Sequence, residues 1–158
     1  MEKITSRSNH FIKHIKKLFT SHKERAQNAQ FALEGARLCF DALYSDCSCE
    51  TLLLTESAMQ KYPEKCEALI SGFGQALLIT DQLSEYLAET VNPQGIFAVC
   101  GMRKNHFYPQ IGKKYIALDR IQDPANLGAV IRTAEALGID GAVLGCCCDL
   151  YNPKVLRA

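Results

Sequence analysis

The 158 residues contain no tryptophan, and no apolar run among them reaches the roughly 20 residues of a membrane span. The amino terminus, "MEKITSRSNHFIKHIKKLF", lacks the apolar centre of a secretory signal. We therefore expect a cytoplasmic protein with no membrane partner. C-x-x-C pairs are also missing, so the eight cysteines carry no zinc-site spacing. Neighbouring residues on a strand face opposite sides, which keeps Cys146, Cys147 and Cys148 from converging on one ion. The cysteines are read as reduced structural or incidental thiols, with no metal expected. GxGxxG and Walker loops are absent, excluding the usual nucleotide fingerprints. Histidine is scarce: His10, His14, His22 and His106 show no partner and are expected on the surface or in the core.

What is present describes an ordinary globular chain, with 47% hydrophobic and 22% charged residues and a net charge of +1. The charge is unevenly placed. Between Lys3 and Arg25, the residues Lys3, Arg7, Lys13, Lys16, Lys17, Lys23 and Arg25 stand against the single Glu24. Such a stretch suits an anionic partner such as RNA, or is a solvated helix face.

Periodicity sets out the elements. Ser8 and Asn9 cap a helix over 10–19 with Phe11, Ile15 and Leu18 inward and the lysines off that stripe. Strands are expected at 30–35, 50–56, 75–80 and 95–100, with helices at 36–46, around 57–72, and at 82–89 behind Asp81. The alternation predicts a three-layer α/β/α domain with a largely parallel sheet over 1–104. The polar stretch 101–114 breaks the rhythm, and 105–112 is read as a linker. Residues 113–158 then read as one βαβ unit: strand 115–121, helix 126–137 with Gly138 after it, strand 141–145. "YNPKVLRA" opens a further helix, with Asn152 as N-cap and Pro153 at its first position. Two strands and a helix bury no core of their own, so the second domain is expected to be incomplete.

"QDPANLGAVIRTAEALG" (122–138) carries the chemistry. Leu127, Val130, Ile131, Ala134 and Leu137 make the expected packing stripe. Gly128, Arg132 and Glu135 fall on another face. Glycine costs a helix about 1 kcal/mol relative to alanine, so Gly128 signals a close approach to the backbone. Asn126, at the helix mouth, caps the helix or offers its amide to a ligand. Arg132 is a planar cation suited to phosphate, or one half of a surface ion pair with Glu135. The loop also lies where α/β sheets place ligands, at the carboxyl end of a parallel strand.

"ALDRIQDPANLGAVIRTAEALGIDGAVL" resembles the first conserved motif of the SpoU (TrmH-type) RNA ribose 2′-O-methyltransferases of the SPOUT superfamily. The Asn-x5-Arg-Thr-Ala pattern falls on Asn126, Arg132, Thr133 and Ala134, and "YNPKVLRA" resembles its continuation. "SRSNHFIKHIKKL", "FALEGARLCFDAL" and "NPQGIFAVC" are similar to the family's amino-terminal RNA-binding domain. The resemblance implies an α/β-knot domain begun at 113, methyl transfer from S-adenosylmethionine to a ribose of rRNA or tRNA, and a homodimer. It implies Arg132 and Asn126 as catalytic residues, with Glu135 and Gly128 in support. In the family the donor pocket is built by two later motifs. This chain lacks them, so the 158 residues are expected to bind no donor. RNA is expected on Arg7, Asn9, Lys13, Lys16, Lys17 and Arg25. The alternative is a non-catalytic RNA-binding module.

Overall fold

The structure is a computed structural model that describes residues 1–45, 47–103 and 109–158. The chain divides into two compact units, Met1–Arg103 and Lys104–Ala158. The first half of the expected linker 105–112 lies outside the described residues.

The first unit runs β1 (Glu2–Ile4), α1 (His10–Thr20), α2 (His22–Asn28), β2 (Gln30–Glu34), α3 (Ala36–Leu43), β3 (Ser48–Thr55), α4 (Glu56–Lys61), α5 (Pro63–Gly72), β4 (Gln75–Ile79), α6 (Asp81–Leu87) and β5 (Ile96–Gly101). Its sheet has the order β1-β4-β3-β5-β2. β1 and β3 pair parallel with β4, whereas β5 pairs antiparallel with both β3 and β2. Four strands thus share one direction, as the expected largely parallel sheet requires, and β5 alone opposes them. The reason lies in the 88–95 segment. α6 has only seven residues, and the chain after it is held at the carboxyl ends of β2 and β3. Glu34 accepts the Glu89 N–H at 2.8 Å and the Thr90 hydroxyl, and the Thr55 N–H reaches the Gly95 carbonyl at 2.9 Å. β5 must therefore enter from that end and run backwards. Strand–helix alternation in a sequence does not encode this.

Alternation along β3 and β5 divides the core. Leu53, Leu77, Ile79, Phe97 and Val99 pack beneath α1 and α6 with Ile12, Ile15, Leu18 and Leu83. α3, α4 and α5 cover the opposite face, so the three layers are present. On α1 the buried stripe is Ile12, Ile15, Leu18 and Phe19, with Phe11 only half-buried. Sequence periodicity misses the short edge strand β1 and α2, which Ser21 caps and Ala29 ends in the left-handed region at φ 50°. Thr80, rather than Asp81, caps α6.

The second unit holds β6 (Tyr115–Asp119), α7 (Pro124–Ala136), β7 (Gly141–Gly145) and α8 (Pro153–Arg157). β6 and β7 pair parallel, from Tyr115↔Gly141 to Asp119↔Gly145. Asp140 opens β7. The Lys114 N–H, and then the Lys113 ammonium at 2.9 Å, hold its carboxyl below the usual carboxylate range. This tie is complete at neutral pH and is lost as pH falls through that lowered value. The pair is largely open to solvent and contributes little.

Candidate functional site

α7 begins at Pro124, two residues earlier than its pattern suggests. Asp123 is the N-cap, its carboxylate accepting the Asn126 N–H at 2.8 Å, and Pro124 takes the first helical position. Asn126 is therefore the third helical residue and not the cap. Its side chain is exposed and holds no hydrogen bond among the described residues, which leaves its amide for another partner. The loops after β6 and β7 are knitted together beside this helix mouth. The Arg120 N–H reaches the Gly145 carbonyl at 2.8 Å, the Cys148 N–H reaches Ile121, and the Gln122 amide reaches the Cys146 carbonyl at 2.6 Å. Arg120 (φ 56°) and Cys146 (φ 48°) both sit in the left-handed region, a conformation of order 1 kcal/mol dearer for a residue with a Cβ. No sequence signal marks either one.

The glycine in α7 now has a cause. A Cβ at Gly128 would lie 2.5 Å from the Ala158 Cβ and 2.7 Å from the Val155 carbonyl oxygen. The close approach inferred from sequence is met by Val155 and Ala158, which gives Gly128 a packing role. Arg132, one turn further on the same face, is exposed, and its guanidinium donates to the Ala158 carbonyl oxygen. Gly128 and Arg132 therefore meet at the α7–α8 junction. Glu135 is exposed and makes no ion pair with Arg132 among the described residues, so the surface-pair reading of Arg132 fails. Asn126 and Arg132 are six residues apart, roughly 120° around the helix and about 9 Å along it.

The expected packing stripe of α7 is largely open. Leu127 is buried, but Val130 is 36% and Leu137 71% exposed. Together with Ile116, Leu118, Ala134 and Ile139 they border an apolar groove of about 620 Å³. Thr133 is the one polar side chain along it, and no carboxylate faces it to receive an amino group. The groove is no cradle for an amino-acid-bearing methyl donor.

In the first unit the basic candidates separate. Arg25 is 2% exposed, and its guanidinium donates to the Leu18 carbonyl at 2.6 Å and the Phe19 carbonyl at 3.3 Å. It closes the carboxyl end of α1 and is withdrawn from the RNA-binding set. Asn9 is the α1 N-cap, its Oδ1 accepting the Phe11 N–H at 2.8 Å. Lys16 is tied to Glu89 at 3.0 Å and to the Leu87 carbonyl, and lies over the Tyr86 ring. Arg7 covers the same ring at 5.2 Å. His14 is partnered after all, by Gln30 at 2.9 Å and by Glu24. Lys13 and Lys17 remain on one exposed helix face, Lys17 at 3.6 Å from Glu24 and Lys13 without an ion pair among the described residues. Lys23 on α2 is also exposed, and sequence reasoning counts it only within the basic run.

Replacing Arg25 by alanine strips two carbonyls of a charged donor inside the core. We expect a loss of about 2–3 kcal/mol in urea unfolding, with the salt slope of RNA binding unchanged. A lowered salt slope without lost stability would return Arg25 to the RNA-binding set.

Residues 9–98 match the family model of the MRM3-like substrate binding domain, and residues 113–158 match that of the SpoU rRNA Methylase family. The chain belongs to the SpoU family and carries an MRM3-like substrate binding domain. It is 35% identical to the 23S rRNA (guanosine(2553)-2′-O)-methyltransferase RlmP of Bacillus subtilis, over 100% of this chain and 60% of that protein. An uncharacterized tRNA/rRNA methyltransferase of Synechocystis is 33% identical over 98% of the chain and 57% of its own length. Among solved structures, an rRNA methyltransferase from Sinorhizobium meliloti superposes with a TM-score of 0.82 at 31% identity, covering 99% of this chain and 60% of that one. The AdoMet-bound form of the Sinorhizobium protein gives the same TM-score of 0.82 at 30% identity. The 158 residues of this SpoU-family chain thus span about three fifths of these relatives' length.

Proposed function

We propose that the protein is an S-adenosylmethionine-dependent ribose 2′-O-methyltransferase of ribosomal RNA. In this reading 1–104 bind the RNA, 105–112 link, and 113–158 form the first part of the catalytic domain. The observation that carries the proposal is Arg132, exposed on a helix within the segment 113–158 that matches the SpoU family. A ribose hydroxyl is a poor nucleophile until its developing charge is stabilised. A guanidinium keeps its proton far above neutral pH, so it is poorly suited to act as the base. Its fork instead suits the phosphate beside the reacting ribose and the oxyanion forming on the 2′-oxygen. Asn126, with its free amide, is the second polar contact to the same nucleotide. Glu135 has no role here beyond the surface.

The donor site does not assemble from the described residues, and the relatives carry further sequence beyond the matched region. The chemistry is therefore assigned to the product of the complete reading frame. Relatives named as rRNA methyltransferases support rRNA over tRNA. We further propose a homodimer in the cytoplasm. The apolar residues left open on the second unit, Val130, Leu137 and Val143, support association. No helix among the described residues is long and apolar enough to cross a membrane. Transfer of labelled methyl groups from S-adenosylmethionine to rRNA by the complete product tests the activity. Binding of rRNA without transfer would favour the non-catalytic RNA-binding module.

For the RNA face, charge reversal of Lys13 and Lys17 together is expected to lower rRNA affinity. The log–log salt slope should fall by roughly 0.7–0.9 for each phosphate that is no longer neutralised. Reversal of Lys16, held by Glu89, should change the slope less. Equal slopes in all three proteins would make this face merely solvated.

A further inference from the structure

The spacing of the cysteines argues against a metal, yet the fold assembles three of them. Cys49 in β3 lies directly opposite Cys100 in β5. Cys47 lies in the bend just ahead of β3, two residues before Cys49, and the chain there brings it beside Cys49 with Cys100 across the strand pair. Cys146 to Cys148, by contrast, follow the end of β7 and do not lie on a strand. Glu50 is the extra residue of a bulge between Cys49 and Thr51, the kind of irregularity that re-aims a neighbouring side chain. The three sulfur atoms lie within 4.8 Å of one another, and none is in a disulfide. Cys100 is buried while Cys47 and Cys49 are half-buried, so the cluster is open to solvent on one side. Cys47 is held in place by the Ser45 hydroxyl at 2.9 Å.

We propose that Cys47, Cys49 and Cys100 form a three-thiolate site for a soft, zinc-class divalent ion, with its fourth position left to water. Zinc–sulfur bonds of about 2.3 Å set tetrahedral sulfurs about 3.8 Å apart. The observed cluster needs to tighten by about 1 Å at most to meet that spacing. Thiolates are the donors that select zinc over harder cations. Bound there, the ion would tie the connector between α3 and β3 to the middle of the sheet. Nothing in this depends on the methyltransferase reading, since the cluster lies in the first unit and touches no residue assigned to the reaction.

The test is titration of the fully reduced 158-residue chain with zinc alone, and with cobalt as a spectroscopic substitute. One equivalent should bind, cobalt should give sulfur-to-metal charge-transfer bands, and zinc should raise the unfolding midpoint. Cys49→Ser should weaken binding roughly a hundredfold or more and abolish the midpoint shift. Cys47→Ser serves where Cys49→Ser does not fold. A chain with Cys146→Ser, Cys147→Ser and Cys148→Ser should bind as the parent does. Three results overturn the proposal: no uptake by the reduced chain, uptake that survives Cys49→Ser and Cys47→Ser, or uptake lost with the 146–148 triplet. A Cys49–Cys100 disulfide forming readily in a chain that takes up no zinc would identify the cluster as redox-active instead.

Discussion

Replacing Arg132 by alanine is expected to lower methyl transfer by the complete product roughly 10²–10⁴-fold, with rRNA affinity nearly unchanged. The expectation rests on three properties of the residue. Arg132 is exposed, it makes no ion pair with Glu135 among the described residues, and it stands on the helix face of the matched SpoU segment. No side-chain carboxylate among the described residues competes for its charge with an incoming phosphate. Lysine at this position should restore little, because a point charge does not reproduce the two-pronged fork. Glu135→Gln should leave the rate within about twofold, in line with the small worth of an exposed charge. Single-turnover methylation with saturating RNA separates the chemical step from binding. A rise in KM with kcat unchanged would place Arg132 in uniform substrate binding and remove it from the reaction.

The second large effect concerns Gly128, and its sign decides the matter. If the glycine faced solvent or a vacant ligand site, alanine would stabilise α7 by about 1 kcal/mol. Instead the added Cβ would meet Val155 backbone at 2.7 Å and the Ala158 Cβ at 2.5 Å. Helix backbone does not yield as the tip of a flexible side chain does, so α8 must move. Overpacking of this kind costs about 1–3 kcal/mol, which exceeds the propensity gain. Gly128→Ala should therefore lower the stability of the second unit, and Gly128→Val should lower it by about 3 kcal/mol. Amide exchange in α8 should quicken in both variants, and Arg132 should lose its acceptor. Stabilisation by alanine, with α8 protected as before, would contradict the packing described here.

Much of this is legible in the sequence, for reasons that also show where legibility ends. Strongly periodic segments declare themselves: α1, β3 and the β6–α7–β7 unit lie where their apolar spacing places them, within a residue or two. Asn152 and Pro153 announce α8, because an N-cap followed by proline is a local code. The direction of β5 is hidden, since it depends on Glu34 and Thr55 gripping a segment far along the chain. Asp123 reads only as part of a turn, although Asp-Pro is a sound cap and first-position pair. The basic run misleads in the other direction. Arg25 and Lys16 look like Lys13 in sequence, but carbonyls and Glu89 hold them in the fold. Charge can be counted from a sequence, whereas its availability depends on tertiary partners. The same holds for Cys47, Cys49 and Cys100, whose meeting requires the β3–β5 register. At the candidate site, Arg132 and Asn126 are visible only through the SpoU resemblance. Spacing alone leaves them between an anion site and an ordinary capped helix.

The most direct measurement is a map of ribose 2′-O-methyl groups in rRNA from cells lacking the gene, complemented either with the complete gene or with its Arg132→Ala form. The proposed function predicts that at least one rRNA position loses its methyl group on deletion, regains it with the parent gene, and stays unmethylated with Arg132→Ala. An rRNA methylation map unchanged by deletion, or restored equally by the Arg132→Ala gene, would contradict it.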